Sequence, residues 1–195
     1  TNFAGLLANK KLFYDNKETL VFVHEMMERI QWNLLNESCL LAEELGACEG
    51  FQDTKYAQGQ LPIDWYKKTV DELVEPVYHM DWEGLRERIK EHGLRHSTVS
   101  AIMPCESSSV IQGSTNGIEP VRDTMSFKKA KNGVLKQLVP FFAKKRNYYT
   151  LAWSLENNDA ILRISAVLQK FVDMGISTNM YYNYSHFPDG NIPLS

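Results

Sequence analysis

The sequence predicts an α/β fold, and three features of the 195-residue chain indicate it. Residues 18–46 and 159–175 place apolar side chains at helical spacing without an interrupting proline. Residues 97–104 are apolar and β-branched, which is typical of a short buried strand that a proline ends. Asn132-Gly133 separates two alternating segments and predicts a β-hairpin. Helices, a strand and a hairpin in this order favour part of an α/β architecture.

Capping signals bound the helices of the first half. The first long helix is expected to end at Gly46, because glycine readily adopts the left-handed conformation that follows a helix. Asp81 and Gly93 bound a segment with a mixed-charge face, so we expect an exposed amphipathic helix there. The chain between these helices is rich in Gly, Asp and Gln, and we expect it to be irregular before a turn or helix at residues 64–73.

The second half is expected to contain the hairpin, the second long helix and a final strand. The hairpin should turn at residues 131–133 and end at Pro140. The helix of residues 159–175 finishes on a glycine, and residues 176–184 favour a strand. With 44% hydrophobic residues, a chain of this length can bury one sizeable core, so we expect a single domain over residues 1–195.

Composition excludes several classes of protein. The net charge of −3 gives no basic surplus for nucleic-acid binding. No apolar stretch reaches the roughly 20 residues of a membrane-spanning helix, and no secretory signal is evident, so we expect a cytoplasmic protein. Cys39, Cys48 and Cys105 are odd in number and unevenly spaced, which fits neither a disulfide framework nor a zinc site. Because the chain starts at Thr1 and ends at Ser195 in an extended segment, we expect both ends to be cut from a longer polypeptide.

The segment after the predicted strand carries the candidate chemistry. Residues 104–109, Pro-Cys-Glu-Ser-Ser-Ser, precede residues 110–112, which could open a short helix. Unpaired amides and serine hydroxyls at a helix start supply the donors and partial positive charge that a phosphate or diphosphate needs. The same residues are also typical of a serine-rich cap that satisfies only its own helix, and spacing alone favours that interpretation.

Two other kinds of phosphate site are excluded by the residues present. The glycine-rich P-loop pattern GxxxxGK[ST] does not occur in the chain. A thiolate phosphatase would need an arginine a few residues beyond Cys105, and the sequence offers none through Thr115. Any phosphate would therefore be held by amides and hydroxyls.

The same segment resembles a known family. Residues 100–120, SAIMPCESSSVIQGSTNGIEP, are similar to a stretch of the class I ribonucleotide reductase large (alpha) subunit. The core of that stretch is Met-Pro-Ser-Glu-Thr-Ser-Ser, followed by Asn-Gly-Ile-Glu-Pro. Further segments resemble the same subunit in the same order, so the resemblance covers essentially the whole chain: YAQGQLPIDWYKK, DWEGLRERIKEHGLRHST, KNGVLKQLVP and LQKFVDMGISTNMYYNYSHFPDG.

The resemblance implies a fold and a site. The fold would be the C-terminal portion of the ten-stranded α/β barrel of ribonucleotide reductase, a partial barrel with long helices and a β-hairpin. The barrel is built from two antiparallel halves of five parallel strands, and its loop binds the diphosphate of a ribonucleoside diphosphate. The implied substrate-binding residues are Pro104, Cys105, Glu106, Ser107 and Ser108, with Ser109 as the next donor.

Two residues depart from the family pattern. Ser107 stands where the family has threonine, and it keeps the hydroxyl. Cys105 stands where the family has serine, so a good donor is replaced by a weak one. We expect the backbone amide at Cys105 to remain available to a phosphate.

The resemblance also implies what this chain lacks. The family reduces ribonucleotides to deoxyribonucleotides, the DNA precursors, through a thiyl radical and a redox-active cysteine pair that lie upstream of this segment. We therefore expect no catalytic residue, metal site or cofactor in the chain, which would be an inactive fragment or split piece on its own. The implied partners are the N-terminal part of the large subunit, a radical-generating small subunit with its metal/radical cofactor, and thioredoxin or glutaredoxin as dithiol reductant.

Several residues invite a catalytic assignment that the pattern does not support. Cys39 lies among leucines in a predicted helix and should be a buried thiol, and Cys48 should simply pack. The family's radical-relay tyrosine pair lies nearer its C-terminus than either tyrosine pair here. We expect Tyr148-Tyr149 to cap the segment after the hairpin and Tyr181-Tyr182 to lie on a strand.

Two histidines and a glutamate complete the candidates. His92 and His96 are four residues apart, but Gly93 separates them and no third ligand follows, so we expect surface histidines. Glu119 could reach the substrate cavity, although Asn-Gly and Glu-Pro are also ordinary turn pairs.

An alternative to the reductase is a non-catalytic nucleotide- or phosphate-binding module derived from the same fold.

Overall fold

The structure is a computed structural model. It describes residues 1–130 and 133–183, with the backbone alone at residues 128–130 and 135. The chain folds as two compact units. The first unit comprises residues 1–19, residues 103–165 and the described residues from 177 onward, and the second comprises residues 20–102 and 166–176.

Helices dominate the described residues. The helices are α1 (Phe3–Lys10), α2 (Lys17–Leu45), α3 (Pro62–Trp65), α4 (Trp82–His92), α5 (Glu106–Ile111), α6 (Phe142–Lys145) and α7 (Asp159–Gln169), and the strands are β1 (Met125–Ala130) and β2 (Gly133–Leu138).

The predictions for α2 and α4 are confirmed, and their caps explain where they end. Gly46 follows α2 with φ +84°, a conformation that side chains disfavour. At the start of α4 the Asp81 carboxylate accepts a hydrogen bond from Gly84 N at 2.8 Å. Gly93 ends α4 at φ +78°, where a Cβ would lie 2.7 Å from the Ala47 side chain.

The second unit has an apolar core with polar side chains buried inside it. Leu35, Leu85 and Leu94 have no exposed surface, and they belong to α2, α4 and the segment after α4. Asp173 joins several segments, because its carboxylate accepts hydrogen bonds from Gln31 Nε2 (2.5 Å), Tyr56 OH (2.6 Å) and Val99 N (2.6 Å).

The predicted buried strand at residues 97–104 is wrong except at one residue. Ile102 forms an isolated parallel bridge with Ile176, and the rest of the segment is not strand. The reason is that other groups take the backbone's hydrogen bonds. Val99 N donates to the Asp173 carboxylate, and Ser100 O accepts from Met174 N at 3.2 Å.

Helix α7 begins where predicted but ends at Gln169, six residues before the predicted glycine. The Gln169 side-chain amide donates to Val172 O (3.1 Å) and Met174 O (3.0 Å). These bonds satisfy the carbonyls of Val172 and Met174, which lie in a turn after the helix has ended. Phe171 and Val172 are fully buried there, so tertiary packing overrides the helical periodicity of the sequence.

The strand predicted at residues 176–184 is also wrong within the described residues, since only Ile176 pairs with another segment. Side-chain oxygens, in place of the carbonyls of a neighbouring strand, accept the hydrogen bonds of this segment's backbone N–H groups. Asn179 N donates to Glu119 Oε1 at 2.8 Å, and Tyr181 N donates to Asn158 Oδ1 at 2.8 Å. Residues 184–195 lie outside the described residues.

The predicted hairpin is confirmed. Strands β1 and β2 pair antiparallel from Met125↔Leu138 to Ala130↔Gly133, so Gly133 belongs to β2. The loop residues 131–132 lie outside the described part of the chain.

The α/β prediction is thus confirmed only in part. Within residues 1–130 and 133–183 the structure is mostly helical, and its one sheet is the two-stranded hairpin, with no closed barrel. Parallel pairing in those described residues is confined to two isolated bridges, Ile102↔Ile176 and Val121↔Leu151. The expectation of a single domain stays a prediction.

Candidate functional site

The candidate loop leads directly into helix α5 of the first unit. The sequence predicted a helix opening at residues 110–112, but α5 already begins at Glu106 and Cys105 is its N-cap. Glutamate and serine are well suited to a first turn, because Glu favours the positive end of the helix dipole and Ser tolerates the cap region. Cys105 makes no side-chain capping hydrogen bond.

The first turn of α5 therefore offers several donors on an exposed surface. The N–H groups of Glu106, Ser107 and Ser108 have no intrahelical acceptor, because a helix leaves its first amides unpaired. The side chains of Ser107 and Ser108 are exposed, as are Pro104 and Glu106. The predicted site residues thus remain together on one stretch of surface.

Ser109 does not fit its expected role as the next donor. It is buried, and its hydroxyl donates to Glu106 O at 2.8 Å. Its carbonyl accepts a hydrogen bond from Ser114 N at 2.8 Å. Ser109 therefore holds α5 against the following turn, and its hydroxyl is already used within the helix, although the residue lines the cleft described below.

The backbone amide of Cys105 is also engaged, contrary to expectation. It donates to Asn116 Oδ1 at 2.5 Å, and Asn116 Nδ2 donates to Glu106 Oε1 at 3.2 Å. The Cys105 thiol lies 3.4 Å from Met103 O. Asn116 therefore fixes the entry to α5, a role that the sequence reasoning missed, although Asn116-Gly117 was noted as a turn pair.

A cleft of about 350 Å³ lies beside the loop, within the first unit. Glu106 and Asn116 line it, together with residues of the hairpin. Thr115 also lines the cleft, and its hydroxyl is buried without a hydrogen-bond partner in the described structure. Ser107 and Ser108 do not line this cleft. Glu106 lines the cleft and directly precedes the two serines in α5, so the cleft and the exposed serines are adjacent but separate.

Glu119 lines the same cleft, and its expected reach to a substrate cavity stays a prediction. It is 6% exposed, and its Oε1 accepts hydrogen bonds from Asn179 N and from Asn179 Nδ2 at 3.0 Å. The other carboxylate oxygen lies beside Gly117, whose φ is +51°. Asn179 was not predicted, because nothing local in the sequence links it to Glu119.

The cysteines and tyrosines among the remaining candidates have structural surroundings of their own. All three cysteines are free, and Cys39 is fully buried as expected. The Tyr149 hydroxyl donates to Pro140 O at 2.9 Å, which closes the segment after the hairpin as predicted. Burial raises the pKa of Tyr149 to about 12. Tyr181-Tyr182 is not on a strand.

His92 and His96 contact different groups. His96 is exposed, and His92 lies near the carboxylates of Glu43 (3.7 Å) and Glu91 (3.6 Å). Among the residues that the structure describes, no group of three or more His, Cys, Asp or Glu could hold a metal ion. No helix in the same residues is long and apolar enough to cross a membrane.

Comparisons with known proteins identify relatives over the full length of the chain. A family model described as the barrel domain of ribonucleotide reductase matches residues 1–191. The chain is 47% identical over 193 residues to a ribonucleoside-diphosphate reductase subunit alpha of Buchnera aphidicola subsp. Baizongia pistaciae. It is 46% identical to the ribonucleoside-diphosphate reductase 1 subunit alpha of Escherichia coli and 42% identical to the subunit alpha of Enterobacteria phage T4.

These alignments cover 99–100% of this chain but only 25–26% of each relative. The chain therefore spans about a quarter of the length of the relatives it matches. The match includes the loop, α5 and Glu119. The chain belongs to the ribonucleotide reductase barrel-domain family.

Proposed function

We propose that this chain is the C-terminal part of the catalytic barrel of a ribonucleoside-diphosphate reductase alpha subunit and that it binds the substrate's diphosphate. The proposed binding residues are Pro104, Cys105, Glu106, Ser107 and Ser108. The observation that carries the proposal is the exposed first turn of α5, in a chain whose family match spans the loop.

The contacts would come from amides and hydroxyls. The N–H groups of Glu106, Ser107 and Ser108 carry the positive end of the helix, and phosphate oxygens accept from such groups without requiring Lys or Arg. The hydroxyls of Ser107 and Ser108 can add neutral-to-anion hydrogen bonds, which are stronger than bonds between neutral groups. Glu106 would not contact the anion through its carboxylate, which is bonded to Asn116 Nδ2 instead.

Cys105 would act by position more than by its thiol. Its N–H is held by Asn116, and its thiol is a weak donor near Met103 O. Asn116 would therefore keep the start of α5 oriented toward the substrate. This arrangement tolerates the replacement of the family's serine, because the missing hydroxyl is not needed to hold the loop.

The reaction itself would require other polypeptides. The radical and redox cysteines would come from the N-terminal part of the alpha subunit, the radical from a small subunit with its metal/radical cofactor, and the electrons from thioredoxin or glutaredoxin. Residues 1–195 would then form one portion of a larger barrel domain. The parallel bridges Ile102↔Ile176 and Val121↔Leu151 support this, because parallel pairing is what strands of such a barrel require.

Complementation tests the proposal. The chain is mixed with a polypeptide that covers the upstream three-quarters of a relative's alpha subunit, a small subunit and a dithiol, and CDP reduction is measured. We expect reduction only when all parts are present. No reduction, although every part is folded and the two alpha pieces co-elute in gel filtration, would refute the enzymatic role and leave the phosphate-binding module.

A further inference from the structure

The first unit carries a cluster of cations and aromatic rings that the proposed function does not use. It lies where the end of α1, helix α6 and the 3₁₀ segment Arg146–Tyr148 meet. We name it the basic aromatic patch, and its residues are Lys11, Phe141, Phe142, Lys144, Lys145, Arg146 and Tyr148.

The cations of the patch are held close together. Lys11 Nζ lies 5.3 Å and Lys145 Nζ 5.6 Å from the centre of the Tyr148 ring, so two ammonium groups share one aromatic ring. The Arg146 guanidinium lies 5.7 Å from the Phe142 ring. Lys145 also has a structural role, because its Nζ donates to Asn9 O at 3.1 Å and so caps the end of α1.

In the part of the chain that the structure describes, acidic side chains do not balance these charges. Among the described residues, no carboxylate lies within ion-pair distance of Lys11, Lys144 or Arg146, whereas Arg86 and Lys170 each pair with aspartate. The whole chain has a net charge of −3, so the patch is not the consequence of a basic composition. Concentrated like charges repel one another, and an anionic partner would relieve that repulsion.

The backbone of the patch is strained at two exposed residues. Lys11 has φ +61° and Phe141 φ +55°, and Asn2 is the one other non-glycine residue with positive φ in the described chain. An aromatic residue is rare in this region of backbone space, and such strain is often kept for function. The Phe141 side chain is 64% exposed, so burial in this chain does not stabilise its conformation.

We propose that the basic aromatic patch binds an acidic polypeptide segment that carries an apolar side chain. The cations would pair with carboxylates of the segment, and Phe141 would pack against its apolar residue, as aromatic anchors do at protein interfaces. A long nucleic acid is disfavoured as the partner of this patch, because the patch offers few cations to its phosphates. The net charge of the chain is negative and would repel the rest of the nucleic acid. This inference does not depend on the phosphate loop, which lies in a different part of the first unit.

Binding of a fluorescein-labelled peptide of Asp and Glu interrupted by Leu and Phe tests the proposal by fluorescence anisotropy. The test variant is Lys144→Glu/Arg146→Glu, which leaves the structural Lys145 intact. The control is Arg29→Glu/Lys67→Glu, which changes the net charge equally at exposed residues of the second unit. We expect salt-sensitive binding that weakens about tenfold or more in the test variant and stays near wild type in the control.

Equal weakening by both double variants would show a net-charge effect only and would overturn the proposal, as would the absence of peptide binding. Tighter binding of an oligothymidylate of equal formal charge would also overturn the proposal, in favour of nucleic acid.

Phe141→Gly separates binding from folding, because glycine accepts the positive φ of this position. We expect an unchanged or higher Tm together with weaker peptide binding, and a lower Tm with unchanged binding would contradict the anchoring role.

Discussion

The second unit bonds several of its polar groups to one another, whereas the first unit leaves donors of helix α5 on the surface. In the second unit Asp173 accepts three hydrogen bonds, and the fully buried Lys170 donates to Asp71 Oδ1 at 2.8 Å. In the first unit Ser107 and Ser108 are exposed beside unpaired amides. The network of the second unit should stabilise the fold, and the exposed donors of α5 are the ones proposed to bind a ligand, so mutations should separate the two roles.

The largest expected effect is on folding, at the centre of the second unit's polar network. Asp173→Ala would leave the Gln31 amide, the Tyr56 hydroxyl and the Val99 N–H without their acceptor. We expect the free energy of unfolding to fall by about 3–5 kcal/mol in urea denaturation. The exposed Asp53→Ala is the matched control and should change it by less than about 0.5 kcal/mol. Similar small losses in both variants would show that the network is not stabilising.

A glycine pair tests whether the first unit also has a structural polar contact. Gly117 (φ +51°) and Gly113 (φ +60°) share the left-handed conformation, in which alanine costs about 1–2 kcal/mol. Only at Gly117 would the new Cβ collide with the Glu119 carboxylate, since Gly113 has open space. We expect Gly117→Ala to lower the free energy of unfolding by about 1–3 kcal/mol more than Gly113→Ala. Equal losses would mean that Glu119 moves without cost.

The pH dependence of stability probes the second unit through His24. This histidine is 2% exposed, and burial together with the positive charge of Lys170 lowers its pKa below the ordinary 6.5. Below pH 6.5 and above the lowered pKa, the unfolded chain binds a proton that the folded chain does not, so unfolding becomes easier as the pH falls. Neutral His24 therefore makes its full contribution to the free energy of unfolding only above pH 6.5.

Chemical denaturation between pH 7 and pH 5 measures this effect. We expect the stability of the wild type to fall through this range, and His24→Leu should reduce the slope. An unchanged slope in His24→Leu would show that other groups cause the pH dependence.

The smallest effect is expected at the cap of α5. Cys105 is the N-cap but makes no capping hydrogen bond, whereas a serine hydroxyl can accept from the first-turn amides. Cys105→Ser should therefore raise the free energy of unfolding by about 0.5–1 kcal/mol. Cys48→Ser, at a half-buried cysteine that caps no helix, should give no gain. A loss of stability in Cys105→Ser would indicate that the contact with Met103 O matters more than the cap.

Local signals were sufficient where a residue acts on its own neighbours. Gly46, Asp81 and Gly93 bound their helices as predicted, because caps depend on residues that are adjacent in sequence. The hairpin followed from Asn132-Gly133 for the same reason. Cys39, within a leucine-rich helical stretch, is buried as expected.

Distant contacts explain the failures. The segment around Val99 has strand composition, but Asp173, 74 residues away, takes its N–H. Likewise Glu119 bonds Asn179 across 60 residues, and no local pattern indicates that pair. The loop residues were identified through the family resemblance, while the buried position of Ser109 required the three-dimensional structure.

If the exposed serines of α5 bind the substrate's diphosphate, as proposed, the KM for CDP of the complemented enzyme depends on them. Ser108→Ala should weaken substrate binding by about 1–3 kcal/mol and so raise KM, with kcat changed little. Ser97→Ala, an exposed serine of the second unit, is the matched control and should leave KM unchanged. An unchanged KM in Ser108→Ala would contradict the claim and remove Ser108 from the phosphate site.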